Sequence, residues 1–185
     1  MGSKEKTSEY RREKLIGEGE IDLRIWSLAK EITEKYKDKN LLVVGVLKGA
    51  FILMADLVRD LHHHGLDDLE IDFVSLSSYG GELESSRNPR VMMDLSTDIS
   101  GRHVLLVEDI ADTGYSLAAL QKMLLDRGAA SLETFVLLNK PSRREIQGVK
   151  LDYIGFEVTD WVEGFGLDTD QRGRGNPKIV KVVTR

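Results

Sequence analysis

Hydrophobic side chains recur at helical spacing near the start of the chain and then gather into short unbroken runs. The apolar positions between Ile21 and Tyr36 predict an amphipathic helix over about residues 20–37. The continuous run from Leu41 to Leu47 is typical of a strand in a sheet that is covered on both faces. Residues 48–64 predict a second helix that ends at Gly65, a residue able to adopt the left-handed capping conformation. Strand, glycine turn and helix make the first half of a βαβ unit.

The same alternation continues through the rest of the chain. Residues 69–73 alternate between apolar and polar, which predicts a strand, and they lead into a long polar loop over residues 77–90. Further segments are predicted as strands at 104–110, 132–140, 151–158 and 178–183, as a helix at 116–128, and as a glycine-rich loop at 164–175. Strands that alternate with helices predict an α/β fold with a mostly parallel central sheet flanked by helices, in one domain spanning residues 1–185.

Composition and charge exclude several classes of protein. The 185 residues include no cysteine, which excludes disulfides and thiolate metal sites and fits a reducing compartment. No apolar run approaches the roughly 18 residues that a membrane span needs, and the polar start of the chain lacks the apolar core of a signal peptide. A net charge of -5 with mixed signs gives no basic footprint for nucleic acid. We therefore predict a soluble, cytoplasmic protein that binds neither nucleic acid nor membrane.

One predicted strand runs directly into a cluster of acidic residues. In the stretch VLLVEDIADTGYS, Glu108 and Asp109 follow four apolar residues, and Asp112 follows closely. Carboxylates at the end of a buried strand are costly unless they bind a cation or a polar ligand. Paired acids of this kind suit the two hydroxyls of a ribose. The sequence therefore indicates a polar ligand at this strand end.

The residues that follow the acids have the composition of a phosphate-binding turn. Thr113 and Ser116 supply hydroxyl donors, Gly114 allows close approach, and the next helix begins with unpaired backbone amides. A plain polar turn, capped by Asp112 or Thr113, would have the same composition. Ligands of open parallel sheets bind beyond the carboxyl ends of the strands, so this turn should meet the loops after the other strands in one cleft.

Several motifs, taken in order, resemble one known family. VEDIADTG resembles the phosphoribosyl-diphosphate motif of the type I phosphoribosyltransferases. The LKG turn, SSYG, LLNK, DYIGFEV and GFGLD resemble the hypoxanthine-guanine phosphoribosyltransferases, and the similarity runs from about residue 40 to 177. The resemblance implies a type I phosphoribosyltransferase fold with a small hood formed by the terminal segments. It also implies transfer of a phosphoribosyl group from 5-phosphoribosyl 1-diphosphate to a 6-oxopurine base with Mg²⁺ as cofactor, in a homodimer or homotetramer.

The resemblance assigns a role to each matching position. It gives Asp112 the acid/base role at purine N7, and it gives Glu108 and Asp109 the ribose hydroxyls and, with Asp168, the metal. The remaining matching positions bind the 5′-phosphate (Thr113, Gly114, Tyr115, Ser116), the pyrophosphate (Lys48, Gly49, Arg174), the closing loop (Ser78, Tyr79) or the base (Lys140, Trp161, Val162). The family also has a cis peptide bond in the pyrophosphate turn, here between Leu47 and Lys48.

Some alternatives stay open from the sequence. Arg172 is a near neighbour of Arg174 and could take its place. Glu163, which follows Val162, would disfavour xanthine by charge repulsion if its carboxylate lay near the purine C2 side. The run His62 to His64 suggests a metal site, but adjacent residues on a helix point about 100° apart, which favours a solvated helix end. Other functions are a transferase that prefers xanthine or another base, and a nucleotide-sensing regulator with the same fold.

Overall fold

The computed structural model describes residues 10–77 and 89–184, so Ser78 and Tyr79 lie outside the described residues. The helices are α1 (Glu18–Tyr36), α2 (Phe51–His63) and α3 (Tyr115–Asp126), with a short 3-10 helix at Pro141–Arg143. The strands are β1 (Tyr10–Ile16), β2 (Leu41–Leu47), β3 (Leu69–Ser77), β4 (Arg90–Met93), β5 (His103–Ala111), β6 (Ser131–Asn139), β7 (Tyr153–Glu157), β8 (Val162–Glu163) and β9 (Ile179–Thr184).

The larger sheet is mostly parallel, as the alternation of strands and helices predicts. Its strand order is β4-β3-β2-β5-β6-β7, and only β4, at one edge, runs antiparallel to its neighbour. Helices α1 and α2 cover one face, where Ile25 and Leu57 are fully buried. Helix α3 covers the other face through Leu120 and Leu124. Burial on both faces explains why β2 and β5 are continuous apolar runs.

The two ends of the described chain meet in a second, antiparallel sheet of order β1-β9-β8, which we call the hood sheet. It agrees with the hood of terminal segments that the resemblance implies. The hydrophobic pattern does not predict strands β1 and β8. Strand β1 carries charged residues on both of its faces, and β8 is only two residues long. Strand β4 was also missed, since it begins at Arg90, the last residue of the predicted polar loop.

Helix α1 is joined to the outer edge of the larger sheet by one arginine. Arg24 donates from Nε to the carbonyl of Gly155 at 3.0 Å and from Nη2 to the carbonyl of Ile154 at 2.6 Å. Both acceptors lie on β7, the edge strand opposite β4. The guanidinium therefore joins α1 to the edge strand β7.

A buried carboxylate connects α1 to the start of β6 and β7. Glu133 accepts hydrogen bonds from the hydroxyls of Tyr36 at 2.8 Å and Tyr153 at 2.9 Å, and it pairs with Lys35. Burial alone would raise the pKa of Glu133, but these donors together outweigh burial and hold that pKa below its usual value. Burial also raises the pKa of both tyrosines, whose hydroxyls stay protonated as donors. The cluster lies at the amino ends of the parallel strands.

We expect Glu133→Ala to lower the free energy of unfolding by about 3 kcal/mol at pH 7, because two buried hydroxyls lose their acceptor. A folded-state pKa below the unfolded value means that this contribution is present at neutral pH and is lost as the pH falls below about 4.3. The difference between the native chain and the variant should therefore narrow at pH 3. Urea unfolding at both pH values measures it, with the exposed Glu34→Ala on the same helix as control. An equal difference at both pH values would contradict the assignment.

The histidine run at the end of α2 forms separate contacts. His62 Nδ1 lies 2.7 Å from Asp67 Oδ1, whereas His64 Nε2 lies 3.1 Å from the carbonyl oxygen of Trp26. Within residues 10–77 and 89–184, no three histidine, aspartate or glutamate side chains come together in a group that could hold a metal ion. None of the helices in those ranges is long and apolar enough to cross a bilayer.

Candidate active site

Two neighbouring carboxylates lie near the carboxyl end of the central strand β5. Glu108 is buried and Asp109 is partly buried. Burial raises the pKa of both groups, and for Glu108 the adjacent charge of Asp109 raises the pKa further. A Cβ added to Gly49 would lie 1.7 Å from Asp109 Oδ2, so the turn after β2 touches this carboxylate and has no room for a side chain. We call Glu108 and Asp109 the acid pair.

The turn after β5 leads into α3 as a backbone-lined pocket. Gly114, the residue before α3, adopts φ 96° and has no side chain that could cap the helix. A cavity of about 200 Å³ opens here, with the acid pair at one end and the helix start at the other; it is lined by Glu108, Asp109, Ile110, Asp112, Thr113, Gly114, Ser116 and Leu117. Helix starts of this kind favour anions.

The segment after β6 supports this turn from below. The backbone amides of Glu145 and Ile146 donate to the carbonyl of Thr113 at 3.0 and 3.2 Å. Arg144 Nη2 donates to the Asn139 side chain at 2.8 Å and to the carbonyl of Ala111 at 3.2 Å. Sequence reasoning missed Arg144, because nothing in the local pattern separates it from its exposed neighbours. These hydrogen bonds hold the turn through the backbone carbonyls of Thr113 and Ala111 and not through the backbone amides of the turn.

Asp112 and Lys140 lie within electrostatic reach of each other at the same end of the sheet. Arg143 Nε donates to Asp112 Oδ1 at 2.8 Å, and both side chains keep substantial exposure. Lys140 is buried at 6% exposure, and burial lowers the pKa of its amine while the charge of Asp112 acts in the opposite direction. The hydroxyl of Tyr115 is bound outside this pair of residues, since it donates to Glu145 Oε2 at 3.1 Å. The cation and the acid thus face a common space.

The glycine-rich segment after β8 folds back onto the turn after β2. A Cβ added to Gly166 would lie 1.9 Å from the carbonyl oxygen of Gly49, and Gly166 has φ 97°. Arg174 Nη1 donates to the Gly166 carbonyl at 2.7 Å, and its Nη2 lies 2.6 Å from Asp168 Oδ1. The exposed Arg172 pairs through its backbone with Thr169. Arg174 is thus the arginine that lies within this cluster.

Lys48 is exposed in the turn after β2, and its peptide bond with Leu47 is cis, as the resemblance implies. The charge of Arg174 acts against burial in setting the pKa of Asp109, which places the arginine near the acid pair. The loops after β2, β5 and β8 therefore meet in one cleft, as expected for the carboxyl ends of a parallel sheet.

Trp161 and Val162 belong to the hood sheet. The carbonyl of Trp161 accepts a hydrogen bond from the Val182 amide at 2.7 Å, and Val162 is buried in β8 opposite Lys181. The carboxylate of Glu163 is buried and bound to Arg12. Because Arg12 neutralises the charge of Glu163, this carboxylate would repel an anionic base only weakly.

The donor set of the cleft fits Mg²⁺. The acid pair offers carboxylate oxygens, the ligand type that Mg²⁺ takes, whereas Asp168 is already paired with Arg174, and the described acidic side chains do not form a closed metal site by themselves. Because Gly49 has no side chain, the Asp109 carboxylate can lie close to the backbone of the turn after β2. These residues would hold the ion together with a phosphorylated ligand rather than as a closed protein cage.

An acid pair, a helix-start anion pocket and a glycine turn at one edge of a parallel sheet define a class of α/β proteins that bind phosphorylated sugars or nucleotides. The family model of the phosphoribosyl transferase domain matches residues 18–170. The chain belongs to the phosphoribosyltransferase family.

Individual relatives resemble most of the chain. The hypoxanthine phosphoribosyltransferase of Haemophilus influenzae is 44% identical over 173 residues, covering 91% of this chain and 94% of that protein. The hypoxanthine-guanine phosphoribosyltransferase of Bacillus subtilis is 42% identical, covering 89% of each. A ternary substrates complex of a Trypanosoma cruzi hypoxanthine phosphoribosyltransferase variant superposes with a TM-score of 0.86 at 36% identity, covering 95% of this chain and 97% of that one.

Proposed function

We propose that this chain is a purine-salvage enzyme that converts hypoxanthine, guanine or both, with 5-phosphoribosyl 1-diphosphate, into IMP or GMP and pyrophosphate. The observation that supports this most strongly is the contact of three loops around the acid pair, with Gly49 against Asp109 and Gly166 against Gly49. Curated relatives with hypoxanthine and hypoxanthine-guanine activity in their names share 42–44% of their residues with it. Within residues 10–77 and 89–184, no structural feature favours the alternative of a transferase that prefers xanthine.

The cleft provides a place for each part of the sugar substrate. The 5′-phosphate lies on the amides and hydroxyls of residues 113–116, where the start of α3 favours negative charge. The acid pair accepts hydrogen bonds from the ribose hydroxyls. The diphosphate lies between the Lys48–Gly49 turn and Arg174, which stabilise the charge that develops as it leaves. Bound Mg²⁺ supplies further charge neutralisation on the diphosphate.

One proton is transferred in the part of the cleft that binds the purine. Lys140 donates to the purine 6-oxo group, Trp161 stacks on the ring and the Val162 backbone contacts its far edge. A glycosidic bond forms between the base and C1 of the ribose while the C1–O bond to diphosphate breaks. Asp112 takes the N7 proton that the base gives up, and returns one in the reverse direction.

Turnover with a panel of bases tests the proposal directly. With Mg²⁺ and 5-phosphoribosyl 1-diphosphate, we expect product from hypoxanthine or guanine and much less from xanthine or adenine. The sugar substrate with Mg²⁺ should also raise the thermal midpoint more than base alone, because most of the anion-binding groups serve the sugar substrate. A thermal shift without product from any base would instead favour the nucleotide-sensing regulator.

We further propose a cytoplasmic homodimer or homotetramer. Support comes from apolar side chains exposed on β3, β4 and α2, among them Ile71 at 50% and Met92 at 70% exposure. Apolar surface of this kind, left on a folded chain, suits burial against a second copy. Sedimentation equilibrium of the full chain measures the assembly.

A further inference from the structure

Strand β1 sends two side chains from one face onto the segment that we assign to the purine base. Residues two apart on a strand share a face, so Tyr10 and Arg12 point the same way. The ring of Tyr10 meets the ring of Trp161 edge-to-face, with centroids 5.4 Å apart and planes at 76°. Arg12 pairs with Glu163. The two residues contacted flank Val162.

The contact of Arg12 with Glu163 has the geometry of a fixed pair. Both guanidinium Nε and Nη2 face the carboxylate, with Nη2 3.2 Å from Oε2. The Glu163 side chain is only 3% exposed, and a Cβ added to Gly173 would lie 3.1 Å from its Cδ. A forked arrangement of this kind restricts orientation more than a single contact does. Glu163 is thus held between β1 and the segment that leads to Arg174.

The pair spans the hood sheet rather than joining neighbouring strands. Strand β1 bonds to β9, and β9 bonds to β8, so β1 and β8 are separated by two strand spacings, or about 10 Å. Arg12 lies opposite Val182 and Glu163 lies opposite Val180. The long side chain of Arg12 therefore reaches across β9 to Glu163. The amino-terminal strand can in this way fix β8 without a backbone hydrogen bond to it.

We propose that Tyr10 and Arg12 are positioning residues for the purine subsite, holding the Trp161 ring and the Val162 backbone in place for the base. This inference rests on the proposed function of the cleft. The part of the site that binds the 5′-phosphate and the ribose is anchored separately, through β5, α3 and residues 144–146. Loss of either contact should therefore weaken base binding and leave binding of the sugar substrate largely intact.

Steady-state kinetics of Tyr10→Ala and Arg12→Met test the split between the two substrates. Each variant should raise KM for hypoxanthine by about 10- to 100-fold, the effect of misplacing a binding group by about 1 Å. The KM for 5-phosphoribosyl 1-diphosphate should change far less. In Arg12→Met/Glu163→Val both charges are removed, and the KM for hypoxanthine should return toward the native value because no unpaired buried charge remains. Arg11→Met, whose exposed side chain pairs only with Glu13 among the described contacts, is the matched control.

A second measurement does not need turnover. The chain has two tryptophans, so in Trp26→Phe the tryptophan fluorescence comes from Trp161 alone. In that background Tyr10→Ala should shift the emission of Trp161 to longer wavelength as its ring loses its neighbour. If the native chain turns over no base, the proposed function fails, and this spectrum still tests the contact.

Equal increases in KM for both substrates would overturn the positioning role and show a general weakening of the fold. An unchanged KM for hypoxanthine in both single variants would overturn it as well. If Arg12→Met does not fold, Tyr10→Ala and the double variant decide the question, and a double variant as impaired toward hypoxanthine as Tyr10→Ala would contradict the recovery that is expected when both buried charges are removed.

Discussion

Replacing Asp112 with asparagine should lower kcat by about 10²- to 10⁴-fold, the usual contribution of a positioned acid or base. Asparagine keeps the size of the side chain but cannot exchange a proton. The carboxylate accepts a hydrogen bond from Arg143 Nε at 2.8 Å. The turn that follows is held through the carbonyl of Thr113. Affinity for 5-phosphoribosyl 1-diphosphate should therefore stay close to the native value.

Variants of the acid pair provide the contrast. Glu108→Gln and Asp109→Asn should weaken binding of the sugar substrate, because the proposal assigns these carboxylates to ribose hydroxyls. Dissociation constants and kcat of all three variants, after a check of folding, separate the two roles. Near-native kcat in Asp112→Asn together with lost affinity for the sugar substrate would show that Asp112 only shapes the turn.

Gly166→Ala should lower kcat/KM by about 100-fold or more, since the loops that bind diphosphate would be displaced by about 1 Å. The added Cβ would meet the carbonyl oxygen of Gly49 at 1.9 Å. A backbone carbonyl cannot rotate away as a flexible side chain can, and φ of 97° is itself unfavourable for alanine. Either the Lys48–Gly49 turn or the segment before Arg174 must move.

Gly175→Ala is the matched control, because it lies in the same segment and its added Cβ would find no atom within 4 Å. It should keep native kinetics. Measuring kcat/KM for 5-phosphoribosyl 1-diphosphate in both variants makes the comparison. Native activity in Gly166→Ala would mean that the close contact between the two loops is not needed for catalysis.

The parts of the site that sequence could predict are those with a local signature. The acid pair and residues 112–116 stand out because polar residues interrupt a buried strand at one point. Arg174 could be separated from Arg172 only by its contacts with Gly166 and Asp168. The orientation of Glu163 could not be predicted from the sequence, since its partner Arg12 is 151 residues away. Contacts of that range leave no periodic trace in the hydrophobic pattern.

The fold shows the same division. Central strands buried on both faces are apolar runs that the pattern detects directly, and the parallel sheet follows from their alternation with helices. Strand β1 is different because its sequence, YRREKLI, has no apolar face of its own over most of its length. Its conformation depends on pairing with β9 at the far end of the chain. Only the folded structure brings those two segments together.

The contact of Arg24 with β7 also bears on association between molecules. An edge strand offers unpaired carbonyls to any extended chain that approaches it, and proteins limit this hazard with charged side chains. Here the charged guanidinium of Arg24 lies against the carbonyls of Ile154 and Gly155 on the edge strand. A helix that packs on the face of the sheet thus also places a charge at its edge, the kind of feature that limits edge-to-edge aggregation.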